Sequence, residues 1–270
     1  MSTPPGDPVP PKREVLGVGF TRAMPADFVP IARTLIARRD RTSTICSVNV
    51  HTFTEALRDP GYGRAMRSAT LTFVDGVPVR WILRACGDPH PPPRIHGSDF
   101  MALLVRELPD ARHYFFGSTP ETLALLEASL RGRFPSIRIA GMVSPPFRKR
   151  AQKEDDTTLE AINRSGADIL WVGLGAPKQE LWLHLNADRL RVPIAVAIGA
   201  AFDIQAGRYS RAPGVWQKLG LEWAWRLLQD PARLWRRYFS TNGYFLSLLL
   251  RESSKRLFRP APPGSSGAGS

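Results

Sequence analysis

Short apolar runs alternate with longer amphipathic stretches along most of the chain. The apolar runs predict buried strands at 45–48, 71–74, 113–116, 137–140, 169–172 and 194–198. The stretches between them repeat apolar residues at helical spacing and predict helices near 52–57, 78–86, 98–108, 121–131, 156–165 and 179–189. Strands that alternate with helices are typical of a parallel sheet covered by helices on both faces. We therefore predict an α/β fold with a Rossmann-like sheet.

The two ends of the chain offer few residues that a core can bury. Residues 1–13 include five prolines, and residues 260–270 are rich in Pro, Gly and Ser. Such compositions predict a disordered leader and a disordered tail. Between them we predict an α/β domain at 14–213 and a helical C-terminal segment at 214–259.

The composition is that of a globular protein without a membrane span. The chain has 270 residues, of which 43% are hydrophobic, and this suits one large domain or two modest ones. The N-terminus lacks the basic start and apolar centre of a secretory signal, and no apolar stretch approaches the ~20 residues that a membrane-spanning helix requires. We therefore expect a cytoplasmic protein.

Positive charge and tryptophan are concentrated in the C-terminal segment. The formal net charge of the chain is +13, and residues 214–259 contain nine Lys or Arg against three acidic residues, with four of the seven tryptophans. A basic chain attracts nucleic acid, anionic lipid or the phosphates of a substrate. Because aromatic rings mixed with arginine suit the bilayer interface, we predict an anionic membrane surface as a partner and a peripheral location on the inner face of the cell membrane.

The same aromatic residues admit a second interpretation. Apolar residues between Leu221 and Tyr238 recur near helical spacing, as they do in a helix that packs on its own domain. In the membrane interpretation, Phe245, Leu248 and Leu249 enter the bilayer while the basic residues after them meet acidic headgroups. Packing of the segment on a neighbour makes a homo-oligomer, whereas folding over its own domain leaves a monomer.

Small and polar residues follow the predicted strands. The stretch Gly-Leu-Gly-Ala-Pro-Lys-Gln-Glu at 173–180 directly follows a buried run, as do the Gly-rich turns at which α/β proteins bind phosphorylated ligands. The candidate ligand-binding residues at these strand ends are Gly117, Gly173, Gly175, Pro177, Gln179, Gly199 and Asp203. The stretch is not the full G-x-G-x-x-G fingerprint of nicotinamide enzymes. These features indicate an enzyme with a nucleotide-bearing substrate.

Polar side chains also follow two other strands. Ser47 and Asn49 lie at the end of the run 45–48, and Asp75 follows the run 71–74 on an Asp-Gly turn. An acid at a strand end can serve as a catalytic base, but Asp-Gly is also a common turn pair. The residues alone leave both roles open for Asp75.

Motifs between residues 41 and 245 carry a resemblance to a known family. They include Ser47-Val48-Asn49, Val74-Asp75-Gly76, Arg94-Ile95-His96-Gly97-Ser98-Asp99, Phe116-Gly117-Ser118, the stretch 173–180, Gly199-Ala200-Ala201-Phe202-Asp203 and Arg211-Ala212-Pro213. On these motifs the chain resembles the WecG/TagA/CpsF glycosyltransferases of bacterial surface-polysaccharide synthesis. The resemblance implies inverting transfer of a hexose or N-acetylhexosamine from a UDP-sugar donor to a polyprenyl-pyrophosphate-linked acceptor, in exopolysaccharide or cell-wall polymer synthesis.

Roles for individual residues follow from this chemistry. Inverting transfer needs a base that takes the proton of the acceptor hydroxyl while charge grows on the departing UDP. The resemblance implies that Asp75 is this base, with Asn49 and Ser47 beside it; Ser47 stands where the family commonly has Thr. The amide of Gln179 can pair with the uracil edge, and the carboxylate of Asp203 can accept from base or ribose donors.

The resemblance also implies a role for arginines of the C-terminal segment. Arg226, Arg233 and Arg236 match the family's C-terminal arginines and are expected to approach the pyrophosphate when the segment closes over the crevice. Arg211 is a further candidate. The competing interpretation is that these arginines are solvated or bind lipid headgroups.

Neither a metal nor another cofactor is expected. The chain has no Asp-x-Asp motif, and its five histidines show no ligand spacing. A noncatalytic nucleotide-binding protein and a basic nucleic-acid-binding protein remain as alternatives, and the second would bind random DNA in a salt-sensitive way. The ordered strand-end motifs favour the enzyme, with no nucleic acid among its partners.

Overall fold

A computed structural model describes residues 9–257. The strands in this range are β1 Lys12–Val15, β2 Val18–Thr21, β3 Ser43–Val48, β4 Leu71–Val74, β5 Arg112–Gly117, β6 Arg138–Val143, β7 Ile169–Gly173 and β8 Ile194–Ala197. The α-helices are α1 Phe28–Arg38, α2 Val50–Arg58, α3 Pro60–Ser68, α4 Val77–Ala85, α5 Gly97–Glu107, α6 Pro120–Arg133, α7 Asp156–Arg164, α8 Lys178–Asn186, α9 Gly199–Gln205, α10 Gly214–Lys218, α11 Glu222–Gln229 and α12 Pro231–Leu257.

Six strands form one parallel sheet in the order β4-β3-β8-β7-β5-β6. Alternate residues of a strand point to opposite faces, and the side chains accordingly enter two separate apolar clusters. In β7, Leu170 and Val172 join the cluster with α2, α3, α7 and α8, whereas Ile169 and Trp171 join the cluster with α1, α5, α6 and α9. The predicted α/β fold, with a Rossmann-like parallel sheet and helices on both faces, is confirmed.

Four elements in the N-terminal quarter of the chain were not predicted: β1, β2, α1 and α3. β1 and β2 form an antiparallel hairpin, and β1 begins at Lys12, inside the segment expected to be a leader. Residues 1–8 and the predicted tail at 260–270 lie outside the described residues. α3 contains two glycines, which weaken helix propensity, but the Asp59 side chain caps it by accepting from the backbone N–H of Gly61 at 2.7 Å.

The C-terminal segment packs on the α/β domain through α12. This helix contacts α2 and α4, and Phe245 meets Phe53 edge to face with ring centroids 6.3 Å apart. Arg58 of α2 donates to the Ser240 carbonyl at 3.2 Å. Phe245 and Leu248 are therefore buried, and the expectation that they enter a bilayer is wrong. Within residues 9–257, no helix has both the length and the apolar character needed to cross a membrane.

Candidate active site

One cleft of about 700 Å³ lies at the carboxyl ends of the sheet strands. Every strand of the sheet contributes to its lining: Ser47 at the end of β3, Asp75 after β4, Ser118 after β5, Ser144 after β6, Gly173 at the end of β7 and Gly199 after β8. Ligands of open parallel sheets bind at this edge, and the volume suits a ligand of nucleotide size.

Most of the predicted site residues line this cleft. They are Ser47, Asn49, Asp75, Gly173, Gly175, Gln179, Gly199, Asp203 and Arg226. Gly117, Pro177, Arg211 and Arg236 lie elsewhere, and the side chain of Arg233 lies outside the described residues. The catalytic candidates lie at the ends of β3 and β4, and Arg226 lies on α11. The two glycine-rich turns follow β7 and β8.

Asp75 lies between the sheet edge and α11. Its backbone N–H donates to the Val48 carbonyl at 2.8 Å, which fixes the residue against β3. Burial raises the pKa of Asp75 to about 6, although the positive charges of Arg226 and Arg94 and a hydrogen bond from Asn49 act in the opposite direction. A carboxylate that titrates near neutral pH can accept a proton during a reaction and release it again afterwards.

Asn49 and Ser47 form the wall beside Asp75. Asn49 is the N-cap residue of α2: its Oδ1 accepts from the Thr52 backbone N–H at 3.1 Å, and Thr52 Oγ1 accepts from the Asn49 backbone N–H at 2.9 Å. This reciprocal cap fixes the Asn49 amide, which bonds to Asp75. Ser47 is buried at the end of β3, with its surface on the cleft.

Gln179 connects the two glycine turns. Its Oε1 accepts from the backbone N–H groups of Gly175 at 3.1 Å and Gly199 at 2.8 Å, and its Nε2 donates to buried Glu180 at 2.8 Å. The amide oxygen is therefore engaged by two backbone N–H groups and connects the β7–α8 and β8–α9 turns. Gln179 also lines the cleft, and its pairing with uracil stays a prediction.

Gly117 and Pro177 are not among the residues that line the cleft, and the structure gives each of them a structural role. Gly117 has φ +130°, and a Cβ at this position would lie 2.5 Å from the Gly173 carbonyl carbon of the neighbouring strand. Only glycine avoids this overlap. Pro177 precedes the first turn of α8, and its carbonyl accepts from the Leu181 backbone N–H at 3.3 Å.

Substitution of Gly117 by Ala is expected to destabilise the sheet strongly, by about 2–4 kcal/mol, because strain at positive φ adds to the overlap with β7. The matched control is Gly175→Ala: Gly175 has φ +79°, but a Cβ there would meet nothing within 4 Å. This control is expected to cost about 1 kcal/mol. Urea unfolding measures both, and equal losses would contradict the steric argument.

Two of the predicted pyrophosphate-binding arginines are directed elsewhere. Arg211 forms an ion pair with Asp99 and bonds Gln217 Oε1 at 3.3 Å, so it connects α10 to α5. Arg236 is exposed, and its guanidinium lies 5.3 Å from the centroid of the Trp235 ring. It follows buried Leu234 by two positions, or about 200° around the helix, and therefore faces away from the domain. Arg226 alone of these three lines the cleft.

The cleft has a second cationic rim that was not predicted from the sequence. Arg148 and Arg150 follow β6, and Lys178 begins α8. Buried Glu154 anchors this loop by accepting from Arg148 at 2.6 Å and from Trp182 Nε1 at 2.9 Å. The run Arg-Lys-Arg at 148–150 was the available signal. Within residues 9–257, no three His, Cys, Asp or Glu side chains are grouped as metal ligands would be.

A smaller cavity of about 90 Å³ adjoins the cleft on the side of the C-terminal segment. Its walls come from α2, α4, α11 and α12 and include Trp223 and Tyr238. Four residues line both cavities: Asn49, Asp75, His96 and Arg226. The Asp75 carboxyl group therefore lies at the boundary between a large and a small binding space.

Known proteins match this chain over most of its length. The family described as Glycosyl transferase WecG/TagA/CpsF family matches residues 13–259. The N-acetylglucosaminyldiphosphoundecaprenol N-acetyl-beta-D-mannosaminyltransferase of Bacillus spizizenii is 30% identical over 227 residues, which cover 83% of this chain and 86% of the relative. The protein with the same description from Bacillus subtilis is 28% identical over 222 residues, covering 82% of this chain and 84% of the relative.

Proposed function

The chain belongs to the WecG/TagA/CpsF family of glycosyltransferases, and we propose that it transfers a hexose or N-acetylhexosamine, with inversion, from a UDP-sugar to a saccharide carried on polyprenyl pyrophosphate. The product would serve bacterial exopolysaccharide or cell-wall polymer synthesis. The observation that carries the proposal is the position of Asp75, whose pKa is raised to about 6 at the boundary of two cavities. Membership of an enzyme family overrules the alternative of a noncatalytic protein.

The large cleft is proposed as the donor site. Its glycine turns after β7 and β8 expose backbone at the sheet edge, and Asp203 offers a carboxylate to donors of the base or ribose. Arg226, together with Arg150 and Lys178 of the second rim, supplies positive charge for a diphosphate, whereas Arg148 is paired with Glu154. The small cavity then receives the acceptor sugar, since it opens among the helices of the C-terminal segment.

The proposed reaction is a single displacement. Asp75 takes the proton of the attacking acceptor hydroxyl as the oxygen bonds to the anomeric carbon from the face opposite UDP. The bond from the anomeric carbon to the pyrophosphate oxygen breaks in the same step, and the electron pair leaves with UDP. Arg226, close enough to lower the pKa of Asp75, would also lie near the developing negative charge of the leaving group.

Exposed apolar residues on the C-terminal segment support membrane contact. Trp235, Phe239, Leu246 and Leu250 of α12 are all exposed, with Phe239 at 82%. Their spacing places them within about 60° of one another around the helix axis. Buried Phe245 and Leu248 lie on the other side of the helix. We propose that this apolar stripe of α12 lies in the bilayer interface and brings the small cavity to lipid-linked acceptor.

The pair of changes Trp235→Glu and Phe239→Glu is expected to reduce binding to anionic phospholipid vesicles about tenfold or more, because two interfacial aromatic rings are replaced by carboxylates. Leu125→Glu on α6 is the matched control, since Leu125 is 50% exposed on a different face of the protein. Vesicle sedimentation measures binding, and turnover of a short-chain acceptor in detergent should stay unchanged. Equal binding by the double variant and wild type would contradict the stripe as the contact.

The proposed function is tested by incubating the full chain with a panel of UDP-sugars and a short polyprenyl-pyrophosphate-linked N-acetylglucosamine. UDP-N-acetylmannosamine comes first in the panel, because the relatives' names specify that sugar. Mass spectrometry of the lipid product, together with UDP release, identifies the donor. Formation of the glycosylated lipid from one donor would support the proposal. Failure of every donor, with a folded protein and the acceptor present, would overturn it.

A further inference from the structure

His96 is held in one orientation at the start of α5. It is the N-cap residue of this helix, and its Nδ1 accepts from the Ser98 backbone N–H at 3.2 Å and lies 2.9 Å from Ser98 Oγ. A backbone N–H can only donate, so Nδ1 carries the lone pair. The hydrogen-bond network therefore assigns the ring proton to Nε2.

The imidazole of His96 is neutral at physiological pH. Burial lowers the pKa of His96 to about 4, and the nearby Arg211 and Arg226 act in the same direction against Glu222 and Asp99. Nε2–H is therefore a neutral hydrogen-bond donor, and the ring has no free lone pair with which to act as a base.

The ring lies where the two cavities meet. His96 lines both of them, as Asp75 does, and Nε2 has no hydrogen-bond partner within the part of the chain that the structure describes. The following residue passes next to the catalytic candidate, since a Cβ on Gly97 would lie 4.0 Å from Asp75 Oδ2. The donor of His96 is thus presented to the space from which an acceptor hydroxyl must reach Asp75.

We propose that Nε2–H of His96 binds an oxygen of the acceptor sugar next to the attacking hydroxyl and so orients that hydroxyl toward Asp75. This inference rests on the proposed function. The other polar groups at the boundary have different tasks: Asn49 is engaged with Thr52 and Asp75, and Arg226 is proposed above to stabilise the leaving group. His96 is the neutral donor that remains there for a sugar oxygen.

Two substitutions separate this contact from the capping role of His96. His96→Asn keeps an acceptor at the position of Nδ1, and Asn is a preferred N-cap residue, but it removes the distal donor. His96→Gln carries an amide N–H at the distance of Nε2 and loses the good cap. A residue that only caps α5 would tolerate Asn better than Gln, whereas a residue that binds the acceptor would tolerate Gln better than Asn.

The expected result is that His96→Asn keeps the melting temperature of the wild type but loses about tenfold to a hundredfold in kcat/KM for the acceptor. KM for the UDP-sugar and affinity for UDP should change less than twofold, and His96→Gln should retain more transfer than His96→Asn. Steady-state kinetics with each substrate varied in turn, calorimetric titration with UDP and thermal unfolding provide these readouts.

The opposite order, with His96→Asn as active as wild type and His96→Gln impaired, would overturn the inference and leave His96 as a cap. So would unchanged acceptor kinetics in both variants, or a loss of UDP affinity equal to the loss of transfer. Transfer by the wild type shows separately that the proposed function holds, whatever the His96 variants do. Absence of transfer by the wild type would overturn both.

Discussion

Substitution of Asp75 by Asn is expected to lower kcat by about 10²–10⁴-fold, because the amide has the shape of the carboxyl group but cannot take the proton of the acceptor hydroxyl. Affinity for UDP should remain close to that of the wild type, since Asp75 faces the boundary of the two cavities and not the glycine turns. Single-turnover transfer measures the chemical step, and UDP titration measures binding. Full activity of the variant would assign the base elsewhere.

The pH profile offers a second view of the same carboxyl group. Because the pKa of Asp75 is raised to about 6, the base is protonated and inactive below that pH. We expect kcat/KM to rise about tenfold per pH unit up to pH 6 and to level off above it. Burial has the largest effect and raises the pKa of Asp75; Arg226, Arg94 and Asn49 lower it, Asp99 raises it, and neutral His96 adds no charge.

The raised pKa also has a consequence for stability. An ionised Asp75 is disfavoured in the folded state, so its cost to folding is absent below the unfolded pKa near 4, grows between pH 4 and 6 and is complete above pH 6. Asp75→Asn removes this cost. We therefore expect the variant to melt at or above the wild-type temperature at pH 7.5 and to lose that advantage at pH 4. Such a gain would mean that the wild-type site gives up stability for function.

Most of the sheet was predictable from sequence because five of its six strands are buried on both faces, whereas the edge strand β6 is only half-buried. Runs such as 169–172 are apolar at every position, and small residues mark their ends. The carboxyl ends of parallel strands meet at one edge, so Ser47, Asn49 and Asp75 were brought together as predicted. β1 and α3 were missed, since they depend on the tertiary contacts of Val15 and Tyr62 more than on local pattern.

The direction of long side chains was not predictable in the same way. Gln179 satisfies two backbone N–H groups inside the protein, and Arg211 is paired with Asp99, because a nearby partner in the fold competes with any ligand. A sequence reports the residue type and spacing, but such partners come from distant segments. His96 shows the converse: its Nδ1 lone pair is used by Ser98, and only the structure reveals that the residue lines both cavities.

The second large effect is expected at Arg226. Arg226→Gln should lower kcat/KM by about 10²–10³-fold, because it removes the guanidinium that we propose to stabilise the developing charge of UDP. Arg226→Lys keeps the charge without bidentate geometry, and we expect it to recover part of this loss. Arg236→Gln is the matched control with the same loss of charge from an exposed site, and in detergent it should change kcat/KM less than threefold. Initial-rate kinetics on the three variants measure these effects.

The Arg226 variant has a further signature in its pH profile. Arg226 lowers the pKa of Asp75, so removal of its charge should move the acidic limb of kcat/KM to higher pH, whereas Arg236→Gln should leave the limb in place. A loss of rate without this movement would mean that Arg226 acts on the leaving group from a position remote from the base. An equal loss of kcat/KM in Arg226→Gln and Arg236→Gln would instead indicate that α12 turns Arg236 toward the cleft during the reaction. The closure of the C-terminal segment that the sequence predicts requires such a movement.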